Sequence, residues 1–195
     1  MIAIINYQAG NITSVANALN KLGVDYVITA DKEIIRKADK IIFPGQGRAG
    51  QAIKELKKAG LIDLIKNTSV PFLGICLGLQ ILATSSDEDN TRCLGIIPGT
   101  VKKFSSELKI PQIGWNKVNL TKRSFLTQDI PDSTYFYFVH SYYLITENKY
   151  IIGKTNYDIE YPTIINKNNF YATQFHPEKS GDVGLKLLNN FCKLC

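Results

Sequence analysis

The spacing of apolar positions changes its period repeatedly along the first 95 residues. Short apolar runs predict buried strands at IAII (2–5), VDYVIT (24–29), KIIFPG (40–45) and PFLGI (71–75). Apolar residues every three or four positions predict helices at ITSVANALNKLG (12–23), DKEIIRKA (31–38), QAIKELKKAGLIDLI (51–65, interrupted near Gly60) and from Leu77 to about Ala83. Asn11 is the expected N-cap of the first helix and Gly23 its stop. Such alternation predicts a mostly parallel sheet with helices on both faces.

The second half of the chain is rich in predicted strands, which we expect to extend the sheet in antiparallel fashion. They are GTVKKF (99–104), IGWNKVNL (113–120), YFYFVHSYYLI (135–145), YIIGKT (150–155), YPTII (161–165) and FYATQF (170–175). VGLKLLNNFCKL closes the chain as a helix, with a predicted buried stripe of Val183, Leu187, Leu188, Phe191 and Leu194. A chain of 195 residues with this pattern predicts one α/β domain over residues 1–195.

Composition and charge argue against several classes of function. Hydrophobic residues make up 45% of the chain and charged residues 21%, as in ordinary globular proteins. No run approaches the length of a membrane span, and MIAIINY lacks the basic region of a signal peptide. The net charge of +6 comes from dispersed lysines without an arginine cluster, so we expect no nucleic-acid partner. Four scattered cysteines indicate a reducing, cytoplasmic compartment.

The segment GICLG (74–78) lies between a predicted strand and a predicted helix. A sharp strand-to-helix turn of this kind, called a nucleophile elbow, strains its central residue and needs small neighbours. The pattern Gly-x-nucleophile-x-Gly supplies them. Cys76 would project into a cleft at a helix N-terminus, which favours the thiolate. The N–H of Leu77 would then point at a developing oxyanion. The alternative is a small buried hydrophobe, a frequent role of free cysteine.

A cysteine nucleophile requires a base, and the sequence offers two histidines. His176 in QFHPEKS ends an apolar strand, and Glu178 can accept its N–H and orient the imidazole. His140 in FVHSYY also ends a strand but has no carboxylate close by in sequence. A hydrogen-bonded structural histidine is the alternative for either. The pairing of His-x-Glu with an elbow cysteine favours His176 as the base.

The glycine-rich segment FPGQGRAG (43–50) follows a predicted strand. Glycines allow backbone N–H groups to approach a ligand closely, although a plain turn is the alternative. Beside the elbow strand of a parallel sheet, Gln46 or Gly47 would supply the second oxyanion donor.

Taken together, PGQG, GICLGLQIL and FHPEKS resemble the class I (triad) glutamine amidotransferases, which have a three-layer, flavodoxin-like or Rossmann-like α/β fold. NYQAGN, IGWN and FYFVHSYY are similar to one branch, the glutaminase subunits of imidazole glycerol phosphate synthases, and the resemblance runs from residue 2 to about 192. It implies cleavage of L-glutamine through a cysteine thioester, without cofactor or metal. It also implies transfer of ammonia to a (βα)8-barrel cyclase subunit, as a heterodimer, in histidine biosynthesis.

The same resemblance assigns roles to individual residues. It implies a catalytic triad of Cys76, His176 and Glu178; glutamine contacts from Gly45, Gly47, Gln80, Ser141 and Tyr142; and a cyclase-facing surface with Asn11, Trp115 and Lys179.

Three positions depart from the family pattern. The family usually has a glycine at Gln8, a small apolar residue at Gln46 and a histidine at Gln112. A paralogous glutaminase that feeds a surface-polysaccharide amino-sugar pathway is therefore an alternative. A regulatory domain that has lost catalysis is a remote one, since the triad is complete, and a cysteine peptidase or a chaperone-like relative would not be expected to carry both HPEKS and HSYY.

The remaining cysteines receive no role. Cys192 and Cys195 form a single terminal C-x-x-C without a second pair for zinc, and Cys93 falls in a polar stretch, SSDEDNTRCLG, expected to be a surface loop.

Overall fold

The computed structural model describes residues 1–7, 11–105 and 107–195. Its strands are β1 (Ile2–Ile5), β2 (Tyr26–Thr29), β3 (Lys40–Phe43), β4 (Phe72–Ile75), β5 (Ser85–Ser86), β6 (Thr91–Arg92), β7 (Gly99–Lys103), β8 (Gln112–Leu120), β9 (Thr134–His140), β10 (Tyr142–Thr146), β11 (Ile151–Tyr157), β12 (Ile159–Lys167) and β13 (Phe170–Thr173). Its helices are α1 (Ile12–Lys21), α2 (Lys32–Arg36), α3 (Ala49–Lys58), α4 (Ile62–Lys66), α5 (Leu77–Ile81) and α6 (Gly181–Leu194).

The larger sheet has nine strands in the order β2-β1-β3-β4-β13-β12-β11-β8-β9. Neighbours from β2 to β13 pair in parallel, and those from β13 to β9 pair antiparallel. The predicted parallel sheet with antiparallel additions is therefore confirmed. Since β3, β4 and β13 run in the same direction, the residues that follow all three meet at one edge of the sheet, where parallel sheets bind ligands.

Helices cover both faces of this sheet because successive side chains of a strand point to opposite faces. In β1, Ala3 and Ile5 belong to the core cluster that includes residues of α2 to α5. Ile2 and Ile4 belong to the opposite cluster, with residues of α1 and α6. The short apolar runs thus predicted β1, β3 and β4 because both faces of these strands are buried, whereas β2 at the edge of the sheet is only half-buried.

A second sheet, in the order β10-β7-β5-β6, was not foreseen. The expectation that residues 85–95 form a surface loop is wrong, because Ser85–Ser86 pairs with both β6 and β7. Strands of two residues are too short to show a period-two pattern. Cys93 follows β6 and is half-buried, and burial raises the pKa of its thiol to about 11.

The ends of the helices refine the sequence predictions. Asn11 is the N-cap residue of α1, but its side chain makes no capping hydrogen bond and accepts one from Ser14 Oγ at 2.7 Å. Helix α5 ends at Ile81, earlier than the expected Ala83. In α6, Leu187, Leu188 and Phe191 are buried as predicted, but Leu194 is 42% exposed, and Cys195 packs against the core after Phe191 instead. None of the helices in the described segments is both long and apolar enough to cross a membrane.

The burial along α6 predicts a contrast between two leucines. Leu188→Ala should lower the free energy of unfolding by about 3 kcal/mol, because it removes a fully buried side chain and leaves a cavity. Leu194→Ala should cost less than about 1 kcal/mol, because that side chain is already partly in water. Urea unfolding of both variants measures the difference; equal losses would contradict the assigned burial.

Candidate active site

Cys76 occupies a strained turn between β4 and α5. Its φ of 52° and ψ of −101° lie outside the usual regions for a non-glycine residue. Its N–H donates to the Thr173 carbonyl of β13 at 2.7 Å, which holds the turn against the neighbouring strand. The elbow predicted from the Gly-x-Cys-x-Gly spacing is present in the backbone.

Three glycines make room for this turn. A Cβ at Gly74 would lie 2.6 Å from the Gly78 carbonyl oxygen, and one at Gly78 would lie 2.6 Å from the Phe43 oxygen. A Cβ at Gly45 would overlap the Ile75 oxygen and lie 2.5 Å from the Leu77 nitrogen. Backbone therefore packs directly on backbone where the loop after β3 crosses the turn at Cys76. No residue larger than glycine fits at these three positions.

A cavity of about 210 Å³ lies at the carboxyl edge of β3, β4 and β13. It is smaller than the roughly 300–1,000 Å³ typical of sites for drug-sized ligands, as suits a single amino acid. The predicted site residues that line it are Gly45, Gln46, Gly47, Cys76, Leu77, Gln80, Ser141, Tyr142 and His176. The thiol and the imidazole predicted from distant parts of the sequence thus face the same small space.

Glu178 lies on the far side of the His176 ring. Its Oε1 accepts from His176 Nδ1 at 2.7 Å, and both side chains are 1% exposed. Burial lowers the pKa of His176, but the nearby Cys76 sulfur and the Glu178 carboxylate together outweigh it and raise the pKa to about 10. Within the described residues His176 Nε2 forms no hydrogen bond. The raised pKa favours a charged imidazole beside the Cys76 sulfur.

The Cys76 sulfur has polar neighbours as well. Gln174 Nε2 donates to Sγ at 3.6 Å, and Sγ donates to the Val139 carbonyl at 3.8 Å. Gln174 is fully buried, and its Oε1 accepts from Gln80 Nε2 at 3.3 Å. A donor aimed at sulfur stabilises negative charge there. Cys76 is 7% exposed and belongs to a core cluster, yet it also lines the cavity, so it combines burial with access.

The glycine loop is fixed by Tyr7, whose hydroxyl donates to the Gln46 carbonyl at 2.9 Å. Because a trans peptide directs its C=O and N–H to opposite sides, the Gly47 N–H points away from Tyr7. Gly47 has a φ of 118°, which favours glycine. Leu77 begins α5 directly after the nucleophile. The roles of Leu77, Gln46 and Gly47 as oxyanion donors stay predictions.

Two of the three predicted cyclase-facing residues lie near His176 and Glu178. Trp115 on β8 is 55% exposed, and its ring lies 6.2 Å from Tyr137, whose carbonyl accepts from the His176 N–H. Lys179 is in the 3-10 turn Pro177–Lys179, directly after Glu178. Asn11 lies at the start of α1, and Gln8 falls outside the described residues.

His140 is the structural histidine that sequence reasoning offered as its alternative. Its ring atoms contact the Tyr142 carbonyl at 2.8 Å and the Tyr161 hydroxyl at 3.1 Å. Burial is the main cause that lowers the pKa of His140 to about 4, so the ring is neutral at pH 7.

Two polar residues of the site were not assigned from the sequence. Gln174 stands in the quoted QFHPEKS, but nothing local shows that its amide points at sulfur. Glu88 lines the cavity, and its Oε2 accepts from the Ala49 N–H at 2.7 Å. It was missed because its segment was interpreted as a loop.

Among the described residues, no group of three or more His, Cys, Asp or Glu side chains is arranged to hold a metal ion.

A strained elbow cysteine and a carboxylate-held histidine, meeting at the edge of a parallel sheet, define the class: an α/β protein with a cysteine triad geometry. The sequence profile described as "Glutamine amidotransferase class-I" matches residues 3–195, and the chain belongs to that family.

Similar proteins narrow this further. The chain is 47% identical to "Imidazole glycerol phosphate synthase subunit HisH" of Maridesulfovibrio salexigens, covering 100% of this chain and 97% of that protein. It is 48% identical to "Imidazole glycerol phosphate synthase subunit HisH 1" of Methanococcus maripaludis, covering 100% of both. A solved structure of a glutamine amidotransferase has the same fold, with a TM-score of 0.77 at 17% identity over 98% of this chain and 99% of that one.

The Gln174 contact predicts a change in thiol reactivity. Gln174→Leu keeps the volume but removes the donor to Sγ, so alkylation of Cys76 by iodoacetamide at pH 7 should slow by about 3–10-fold. Mass spectrometry of the Cys76 peptide measures the rate, with Gln51→Leu on the exposed face of α3 as the control. An unchanged rate in a folded variant would show that the contact does not stabilise the thiolate.

The lowered pKa of His140 predicts a pH dependence of stability. The unfolded chain protonates this histidine near pH 6.5 and the folded chain near 4, so its contribution is complete above about pH 6.5. As the pH falls from 6.5 to 4, about 3 kcal/mol of unfolding free energy should be lost. The difference in urea midpoint between wild type and His140→Gln, measured across this range, isolates the effect; parallel curves would contradict it.

Proposed function

We propose that this chain is the glutaminase subunit of an imidazole glycerol phosphate synthase and hydrolyses L-glutamine to glutamate and ammonia. The observation that carries the proposal is the joint lining of one amino-acid-sized cavity by Cys76 and His176, with Glu178 bonded to the far side of the ring. Relatives that match over the full chain are named as subunits of this synthase.

The chemistry follows from the two ionised groups. The Cys76 thiolate attacks the carboxamide carbon of glutamine, and the C=O oxygen becomes an oxyanion near the Leu77 and Gly47 N–H groups. His176, charged because of its raised pKa, gives its proton to the departing nitrogen, which leaves as ammonia. The neutral imidazole then takes a proton from water as the water attacks the thioester, which releases glutamate and returns the thiolate.

Recognition of glutamine uses polar groups around the cavity. Gly45, Gly47 and the Ser141–Tyr142 segment offer backbone groups, and Gln80 lines the cavity with them. Glu88 adds a carboxylate with one oxygen held by Ala49, so its other oxygen can accept from the α-ammonium group. The cavity thus matches a small zwitterion with a terminal amide.

The ammonia must remain unprotonated to act as a nucleophile, so a sealed path into a partner suits the reaction. We assign the partner as the cyclase subunit, with a (βα)8-barrel fold, in a heterodimer. The exposed apolar face of β8 and β9 beside the triad supports this assignment: Ile113, Trp115 and Tyr135 are each more than half exposed. Lys179 and Asn11 would lie at the edge of the same surface.

The alternative cyclase belongs to a surface-polysaccharide amino-sugar pathway, in view of the departures at Gln8, Gln46 and Gln112. Glutamate release, measured with each candidate cyclase from the same organism, separates the two. Faster glutamate release with the histidine-pathway cyclase supports the proposal. Faster release with the other cyclase alone would show that the chain serves the surface-sugar pathway. Glutamate release also argues against a regulatory domain without activity.

Replacing the nucleophile should separate the two nitrogen sources. In the complex, Cys76→Ala should abolish glutamine-dependent synthesis, because no thioester forms, and should leave ammonia-dependent synthesis within about twofold of wild type. Cys93→Ala, which removes a thiol outside the cavity, is the matched control. Loss of both activities in a complex that still assembles would refute the role of Cys76.

A further inference from the structure

We propose that Gln112, Tyr161 and His140 form a one-directional hydrogen-bond chain that holds the Tyr142 carbonyl at the wall of the glutamine cavity. Gln112 and Tyr161 are then positioning residues for substrate binding. The kinetic part of this proposal rests on the proposed glutaminase function, whereas the direction of the chain is a property of the free protein.

The three side chains come from different strands and meet in the interior. Gln112 on β8 is 3% exposed, Tyr161 on β12 is 0% exposed and His140 at the end of β9 is 6% exposed. The Tyr161 hydroxyl lies 2.6 Å from the Gln112 amide and 3.1 Å from His140 Nε2, and His140 Nδ1 lies 2.8 Å from the Tyr142 oxygen. The Phe104 ring packs against both the tyrosine and the histidine, which restricts their rotation.

The donors and acceptors available to each group fix the direction of donation along this hydrogen-bond chain. The Tyr142 carbonyl can only accept, so His140 Nδ1 must carry the proton. A neutral imidazole has a single N–H, so Nε2 accepts, and the Tyr161 hydroxyl must donate to it. With its proton used there, the Tyr161 oxygen can only accept from Gln112. The reverse direction would require a charged His140 ring, which burial opposes by lowering the pKa to about 4.

Gln112 must therefore present its NH₂ group to Tyr161. In the structure the Tyr161 hydroxyl donates to the Gln112 amide oxygen at 2.6 Å, which is the opposite direction. A half turn about the last side-chain bond of Gln112 exchanges its oxygen and nitrogen, and the hydroxyl then accepts from the NH₂ group. The side chain needed at position 112 is a hydrogen-bond donor. An imidazole N–H also meets this need, whereas an ionised glutamate does not.

The held carbonyl is part of the cavity wall. The Tyr142 oxygen also accepts from Gln80 Nε2 at 3.0 Å, and Gln80 in turn contacts Gln174, the donor to the Cys76 sulfur. Ser141, Tyr142 and Gln80 all line the cavity. Without the Tyr161 hydroxyl, His140 Nε2 loses its donor and the ring is no longer held in this orientation. The Tyr142 carbonyl then loses its bond from His140 Nδ1 and keeps the bond from Gln80. The chain thus sets the shape of the site in which glutamine binds.

The direction is tested by NMR of the free wild-type protein at pH 7. Two-bond ¹⁵N–¹H spectra of the two histidines distinguish the tautomers, and His140→Gln assigns the signal. We expect a neutral His140 ring with its proton on Nδ1. A proton on Nε2, or a charged His140 ring, would overturn the chain.

The positioning role is tested by glutaminase kinetics in the presence of the cyclase subunit. Tyr161→Phe should raise KM for glutamine by about 10-fold and change kcat by less than about twofold. Gln112→Leu, which has no donor, should act in the same direction, and Gln112→His should keep the wild-type KM. Tyr157→Phe is the matched control, because it removes a hydroxyl bonded to the Lys109 carbonyl beside the same Phe104 ring.

An unchanged KM in a folded Tyr161→Phe variant would overturn the positioning role. A wild-type complex that hydrolyses no glutamine would overturn the proposed function and the positioning role with it. The tautomer of His140 would still decide the direction of the chain, so the two failures are distinguishable.

Discussion

The positive φ of Cys76 is the constraint on which the site depends. Such a backbone costs about 1–3 kcal/mol at a non-glycine residue and persists only where its surroundings enforce it. Gly45, Gly74 and Gly78 give the surroundings that shape, since each packs backbone against backbone. The hydrogen bond to Thr173 then locks the turn to β13. Held in this turn, Cys76 lines the cavity.

The same turn places the Cys76 sulfur beside the buried imidazole of His176, whose raised pKa keeps it charged. A buried ion pair is stable only if its members keep polar partners, because desolvation otherwise exceeds the attraction. Glu178 serves the imidazole and Gln174 serves the sulfur, so each member has a fixed partner. These partners are held before substrate arrives, and little reorganisation is needed when charge moves during the reaction.

Much of the fold and of the candidate site could be predicted from the sequence. The features that could not be predicted were missed for physical reasons. Strands buried on both faces and amphipathic helices leave strong periodic signals, and the elbow and His-x-Glu are local motifs. The second sheet was missed because β5 and β6 have two residues each. The exposure of Leu194 was missed because spacing alone does not show that Cys195 takes the core-facing position after Phe191. The contacts of Tyr161 span 21 and 49 positions, so no local pattern encodes them.

The order of strands in the larger sheet differs from their order of synthesis. β4, which leads into the cysteine, is flanked on one side by β3 and on the other by β13, the last strand of the chain. His176 and Glu178 follow β13 directly. The Cys76 turn therefore gains the support of Thr173 and the neighbouring imidazole only when β13 pairs with β4. Cys76 and Gln174, which meet in this way, are 98 positions apart, so no short fragment around the cysteine can assemble the site.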